Sequence, residues 1–265
     1  MISNKKVYDC FTFFNELELL ELRMAVMDKW VDHYVLVEST RTFTGKPKEL
    51  FFDKNKADFD TSKIIHVIVD DMPHHDVGDN YEKSKANEVF QRECIKRGLT
   101  SADPEDIVMI TDVDEIINMN VVEKNLHLLD RQISFALKVN LFYFYVNYYS
   151  RDIPGPVMCK FGRLTSVQKF RVKMYRRIVE EVGGWHYSYL GGMENIRLKI
   201  DSYAMTKFNN STYTSDNHIN ECLESGSDLF GRSRMDSKFV DIDRTNSPAE
   251  MDDFVKKYPH LMKKK

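Results

Sequence analysis

Asp106-Ile107-Val108-Met109-Ile110-Thr111-Asp112-Val113-Asp114-Glu115 is the stretch whose reading decides the fold. Its short run of branched apolar residues, acidic at both ends, predicts a buried strand. At the carboxyl end of that run stand Asp112, Asp114 and Glu115. Open α/β sheets bind their ligands just beyond the carboxyl ends of such strands. Like charges this close repel, and burying them unpaired is expensive. A divalent cation bridging them to a substrate's phosphates relieves both problems, and hard oxygen ligands suit manganese or magnesium. The pattern therefore points to a nucleotide or nucleotide-sugar site. An isolated Asp-x-Asp is also met as a plain solvated turn, so the rest of the chain has to carry the argument.

Working outward toward the N-terminus, Lys6 to Phe14 is rich in β-formers and predicts a first strand. Asn15 stands at a predicted N-cap, followed by Glu16 and Glu18 in a first helical turn. Leu17, Leu20, Met24, Met27 and Val31 then recur at helical spacing. Tyr34 to Glu38 and Ile64 to Val69 read as the second and third strands. Tyr81 to Arg97 reads as a helix stopped by Gly98. A further helix is expected over Val121 to Leu129. This alternation argues for an α/β sheet with mainly parallel strands.

The character changes after Asp130. Phe135 to Tyr149 is densely aromatic and predicts one long or two short strands, with core packing for most of the rings. Residues 155–170 read as irregular chain plus a strand. In Gly183-Gly184-Trp185-His186-Tyr187-Ser188-Tyr189-Leu190-Gly191-Gly192-Met193-Glu194, two glycine pairs bracket aromatics, a histidine and an acid. Glycines there allow positive φ and close backbone approach to a ligand. A helix from Glu194 to about Met205 follows. The organisation read from this is a main domain over 1–210 and a C-terminal extension over 211–265 packed on it, with a helix from Pro248 to Lys257.

The chain has 265 residues, 42% of them hydrophobic, enough for a full core. Its 38 basic and 41 acidic residues leave a net charge of −3, with no overall pull toward nucleic acid. The basic cluster Lys256, Lys257 and Lys263 to Lys265 reads as a frayed tail, with weak contact to an anionic membrane as its other reading. Cys10, Cys94, Cys159 and Cys222 are scattered, which points to a reduced, cytoplasmic setting. Neither a signal peptide nor a membrane-spanning stretch is read from the sequence.

Several of these segments together resemble glycosyltransferase family 17, the family of the N-acetylglucosaminyltransferase that adds the bisecting β-1,4-linked residue of N-glycans. The resemblance rests on Tyr8-Asp9-Cys10-Phe11, Phe14-Asn15-Glu16-Leu17, Leu20-Glu21-Leu22-Arg23, Val31-Asp32 and Val37-Glu38-Ser39. Thr42-Phe43-Thr44-Gly45-Lys46-Pro47-Lys48, Gln91-Arg92, Asp112-Val113-Asp114-Glu115-Ile116 and Gly184-Trp185-His186 complete it. These segments run in the family's order over roughly residues 7 to 200, and that co-linearity is more specific than any one motif. Ile117 and Met205 depart from a proline and a histidine common in relatives. The resemblance implies a GT-A-like fold, a Rossmann-type nucleotide-binding sheet with an attached acceptor-binding part. It also implies a UDP-sugar donor, a divalent metal, a glycan acceptor and inversion at the anomeric carbon.

Site candidates follow from position and residue type. Asp114 is the first choice of direct metal ligand. Asp112 either contacts the ribose or reaches the metal through water. Glu115 orients the turn, pairs with a basic residue, or is an ordinary helix-start acid. His186 is a candidate third metal ligand or a hydrogen-bonded structural histidine, with His218 a weaker alternative. Asn15 and Glu38, at strand ends, are candidates for uracil or ribose. Arg92 either reaches the diphosphate or pairs with Glu88 on its helix. An inverting transfer needs a base at the acceptor hydroxyl. Glu194, after Gly191-Gly192, resembles the Gly-Gly-x-acid segment of inverting GT-A enzymes and is the first candidate, with Asp216 the second. Trp185 stacks on a sugar or sits in the core. His74, His75 and Asp76 belong to a loop that reads as a lid or plain surface. Competing readings are a nucleotidyltransferase or phosphoryl-transfer enzyme with the same metal device, and a non-catalytic carbohydrate-binding relative. The lack of a Gly-x-x-x-x-Gly-Lys-Ser/Thr loop counts against a P-loop enzyme.

Overall fold

The computed structural model describes residues 5–172, 176–243 and 246–265. In chain order the strands are β1 (Val7–Phe13), β2 (His33–Ser39), β3 (Ile64–Val69), β4 (Ile107–Asp112), β5 (Glu115–Ile117), β6 (Ser134–Tyr143), β7 (Tyr148–Lys160), β8 (Arg176–Ser188) and β9 (Lys238–Phe239). Among the described residues they form one sheet in the order β3-β2-β1-β4-β7-β6-β8-β5, with β9 paired to β7. The first four are mutually parallel. The antiparallel β4–β7 and β6–β7 pairs and the parallel β6–β8 pair extend the sheet beyond them.

The helices are α1 (Leu17–Met27), α2 (Phe51–Asn55), α3 (Tyr81–Glu93), α4 (Met119–Asn125), α5 (Val167–Arg171), α6 (Gly192–Ser202), α7 (Ser211–Thr214), α8 (Asp216–Ser225) and α9 (Met251–Lys257). Side chains alternate across a strand, so β1 splits its residues between two cores. Phe11 and Phe13 pack with Leu20 of α1, Val122 of α4 and Phe254 of α9. Tyr8 and Cys10 pack on the other face with Cys94, Ile95 and Phe170. Burial on both faces is what near-continuous apolar runs in parallel strands imply.

The expectations for the first helix and for the first glycine pair change. The helix start moves from Asn15 to Glu16, whose carboxylate folds back to accept from the Phe14 and Asn15 N–H groups. Gly183 and Gly184 belong to β8 and do not take the positive φ expected of them. A Cβ at Gly184 would stand 2.3 Å from the Ile116 carbonyl oxygen, so the glycine permits the β5–β8 pairing. The positive φ expected of the glycines occurs at Gly191 and Gly192 (+89° and +77°), where they open α6.

The lysine-rich end is tied down instead of frayed. Lys257 pairs with Glu21 at 2.7 Å, Lys263 donates to the Leu223 carbonyl, and Met251 and Phe254 enter the main core. Among the described residues no helix is long and apolar enough to cross a membrane. All four cysteines are buried and free.

Candidate active site

The strand order 3-2-1-4 reverses direction between β1 and β4, which makes that pair the topological switch point. Ligand crevices of open α/β sheets form there. A cavity of about 590 Å³ opens at this place, with Thr12, Phe13 and Phe14 on one side and Asp112, Val113 and Asp114 on the other. Its size is within the usual range for small-molecule sites. Register pairs Thr12 with Asp112, so the acidic turn emerges level with the end of β1.

A buried arginine holds the turn. Both Arg23 and Asp9 are fully buried, and two bonds at 2.5–2.6 Å join guanidinium to carboxylate. Arg23 also donates to the carbonyls of Asp112, Val113 and Glu115 and to the Thr111 hydroxyl. Asp9 neutralises the charge, and α1 delivers the guanidinium beneath the backbone of the turn. Glu115, 1% exposed, adds a second hold by accepting from the Asp112 N–H at 2.9 Å.

Four cationic groups face the acidic turn. Asp112 receives Arg171 at 2.9 Å and Arg92 at 3.4 Å. Asp114 receives Lys199 at 2.9 Å, and His186 Nε2 lies 3.5 Å from its other oxygen. Arg171 also bonds Glu115 at 2.7 Å. Burial by itself raises both aspartate pKa values. The Arg171 and Arg92 charges at Asp112, and the Lys199 and His186 charges at Asp114, outweigh it and hold both well below the usual carboxylate range. Burial disfavours the His186 imidazolium, yet Asp114 and Glu115 carry its pKa above the ordinary value.

Pairing of β5 with β8 sets His186 opposite Glu115, and the Tyr187 N–H donates to the Asp114 carbonyl. The His186 Nδ1 atom is buried without a hydrogen-bond partner, 3.7 Å from Glu115 Oε1. Arg92 makes the expected pair with Glu88, at 2.9 Å, reaches Asp112 and also faces the cavity.

Other candidates stand elsewhere. Glu38 is fully buried, where it accepts from the Phe51 and Phe52 N–H groups and faces Lys48 and His66; it does not line the cavity. Asn15 is likewise outside the lining, and its neighbour Glu16 is in it. Glu194 and Asp216 have side chains 85% and 73% exposed, both pair with Arg197, and neither lines the cavity. Trp185 is in the core. His218 Nε2 bonds the Leu229 carbonyl, and His75 and Asp76 border a separate depression beside Lys46.

Sequence reading missed Arg171 and Lys199 as site residues, and the role of Arg23. Arg23 belongs to a quoted family segment, but nothing local marks it as the one turned inward. Lys199 follows the Gly191-Gly192 helix start by two turns, a spacing that carries meaning only once the direction of α6 is known.

No curated protein matches the chain. A crystal structure of S. aureus TarS 1-349 is similar at 11% identity, covering 80% of this chain and 68% of that one, with a TM-score of 0.38. The model of glycosyltransferase family 17 matches residues 1–264, well past the stretch over which the resemblance was legible, and the chain belongs to that family.

Proposed function

We propose that the protein transfers a sugar, N-acetylglucosamine in the simplest reading of its family, from a UDP-sugar to a glycan hydroxyl with inversion. The observation that carries the reading is the Asp112–Asp114 turn at the switch-point cavity, with Arg92, Lys199 and His186 around it. The departing UDP carries a diphosphate, so the site must stabilise negative charge that grows as the glycosidic bond breaks.

A divalent metal fits this corner of the cavity. Asp114 Oδ1 and His186 Nε2 approach each other there, and the His186 Nδ1 atom is buried without a hydrogen-bond partner. Among the described residues no set of three or more His, Cys, Asp or Glu side chains gathers as a metal site. A small hard cation takes one or two protein ligands and completes its shell with phosphate oxygens and water. Asp114 and His186 would hold it, and its contribution is Lewis-acid charge on the leaving phosphate oxygens. Arg92 and Arg171 fix Asp112 at the edge of the turn. Lys199 adds a positive charge beside Asp114.

The test is a screen of UDP- and GDP-sugars for thermal stabilisation with manganese present, followed by product analysis. A ligand at 100 times its Kd stabilises by about 2.7 kcal/mol, roughly a 5 °C rise for a chain of this size. A UDP-sugar should give such a rise and release UDP on transfer. No shift with any nucleotide sugar, or release of pyrophosphate, would refute the reading.

A further inference from the structure

The cations around the acidic turn are not equally fixed. Arg171 bridges Asp112 and Glu115 and also donates to the Gly155 carbonyl at 2.7 Å. Arg92 spans Asp112, Glu88 and Gln168. Each guanidinium is therefore pinned by acceptors other than Asp112. Lys199 differs. The one side-chain hydrogen bond it makes among the described residues runs to Asp114 Oδ2 at 2.9 Å. Its side chain is 27% exposed, and the ammonium lies 5.2 Å from the Tyr189 ring centre.

A second acceptor stands beside it. Glu16 Oε1 lies 3.9 Å from the Lys199 nitrogen, just outside hydrogen-bond range. Glu16 Oε2 accepts from the Phe14 and Asn15 N–H groups, which anchors the carboxylate at the start of α1. Oε1 accepts no hydrogen bond among the described residues, although the side chain is only 18% exposed and borders the cavity. A movement of about 1 Å brings the ammonium within bonding range of that oxygen. The flexible four-carbon stem of lysine can make it by side-chain torsion, with α6 left in place.

Two demands meet at Asp114. A divalent ion on its carboxylate puts like charge beside an ammonium that is 2.9 Å from the same group. In a partly enclosed cavity that repulsion is screened far less than in water. Resting on the metal site of the reading above, we infer that Lys199 is a place-holding cation. It neutralises Asp114 in the metal-free protein and passes to Glu16 Oε1 when a metal takes Asp114. Asp114 then keeps a cation in both states, and the ammonium keeps a carboxylate, so neither charge is left buried and unpaired. The ion has to displace a resident charge, so Lys199 lowers the affinity of the free protein for metal.

The test is manganese binding to the full chain without nucleotide, read from the electron paramagnetic resonance signal of the free ion. Lys199→Met should bind manganese about tenfold more tightly than the parent, with Lys199→Gln in its place should the first variant fail to fold. Glu16→Gln should weaken manganese roughly fivefold, because the displaced ammonium loses its acceptor. Added to Lys199→Met, the same Glu16→Gln change should alter binding less than about twofold. Manganese bound no more tightly by the Lys199 variant would overturn the inference, because the ammonium would then not compete. A Glu16→Gln effect of equal size with and without Lys199 would overturn it too, since Glu16 would then act on the ion as a plain charge. Manganese binding unchanged in Asp114→Ala would instead remove the metal site itself, and this inference with it. No manganese bound by the parent or any variant would do the same. Neither nucleotide nor sugar is present, so failure of the UDP-sugar screen remains a separate result.

Discussion

Lys199 Nζ lies 2.9 Å from Asp114 Oδ2, a contact between residues 85 positions apart. It joins the turn after β4 to the helix that begins at Gly192 and places an ammonium group in the cavity wall. Asp114 therefore serves two partners, with Lys199 on one oxygen and His186 on the other.

Replacing Asp114 tests whether that position is the heart of the donor site. Asp114→Ala should cut turnover on the order of 100-fold or more and abolish manganese-dependent stabilisation by UDP, with circular dichroism unchanged. Lys199→Met should weaken UDP binding more mildly, on the order of tenfold, because one positive charge is lost and the carboxylate remains. Turnover near the parent rate in Asp114→Ala would remove the turn from the chemistry.

Glu194 follows a glycine pair, as a catalytic base would, yet its side chain is 85% exposed and paired with Arg197. Glu194→Gln should therefore leave kcat within about twofold, the usual scale for an exposed substitution. A fall of several orders of magnitude would show that α6 rearranges when substrates bind and that Glu194 is the base.

His186 should titrate above the ordinary value of 6.5, because Asp114 and Glu115 favour the imidazolium more than burial opposes it. A pKa raised on folding contributes stability that is complete below the unfolded value and is lost as pH rises through the folded one. Asp112 and Asp114 have the opposite sign. Their lowered pKa values contribute stability above about 3.8, and this is lost as pH falls through the folded values. Histidine proton NMR in metal-free protein checks the first part. Asp114→Asn should move the His186 midpoint down, and an unmoved midpoint would contradict the pairing.

Arg23 is a stability residue as well as a positioning one. Truncating it leaves buried Asp9 without its counter-ion and three carbonyls without their donor. Breaking a buried pair from one side costs about 3–5 kcal/mol. Arg23→Ala should lower the urea midpoint accordingly at unchanged slope. A loss below 1 kcal/mol would mean that the pair contributes little net stability.

Much of this architecture is written locally. The runs at Val35, Ile65 and Ile107 are apolar and branched over one strand length; those at Val35 and Ile107 lie buried between two layers, while the one at Ile65 forms the sheet edge with Ile68 43% exposed. The Asp-x-Asp turn was legible for the same reason: its residues are neighbours in the chain, and a strand end dictates where they point. Asn15 and Glu38 illustrate the limit. Both stand at strand ends as expected, but the Glu38 side chain turns inward to receive the first N–H groups of α2. Which way a strand-end side chain turns depends on what lies beside it.

By itself, then, the sequence determined the parallel α/β half, the acidic turn at the end of its fourth strand, and the family, because strand periodicity and ordered motifs are properties of consecutive residues. Only the tertiary structure decided that Arg23, Arg171, Lys199 and His186 converge on that turn, and that the glycines before Trp185 serve strand pairing. Those contacts join segments 56 to 92 positions apart. Long side chains meet across such distances only after the sheet order and helix packing have been set.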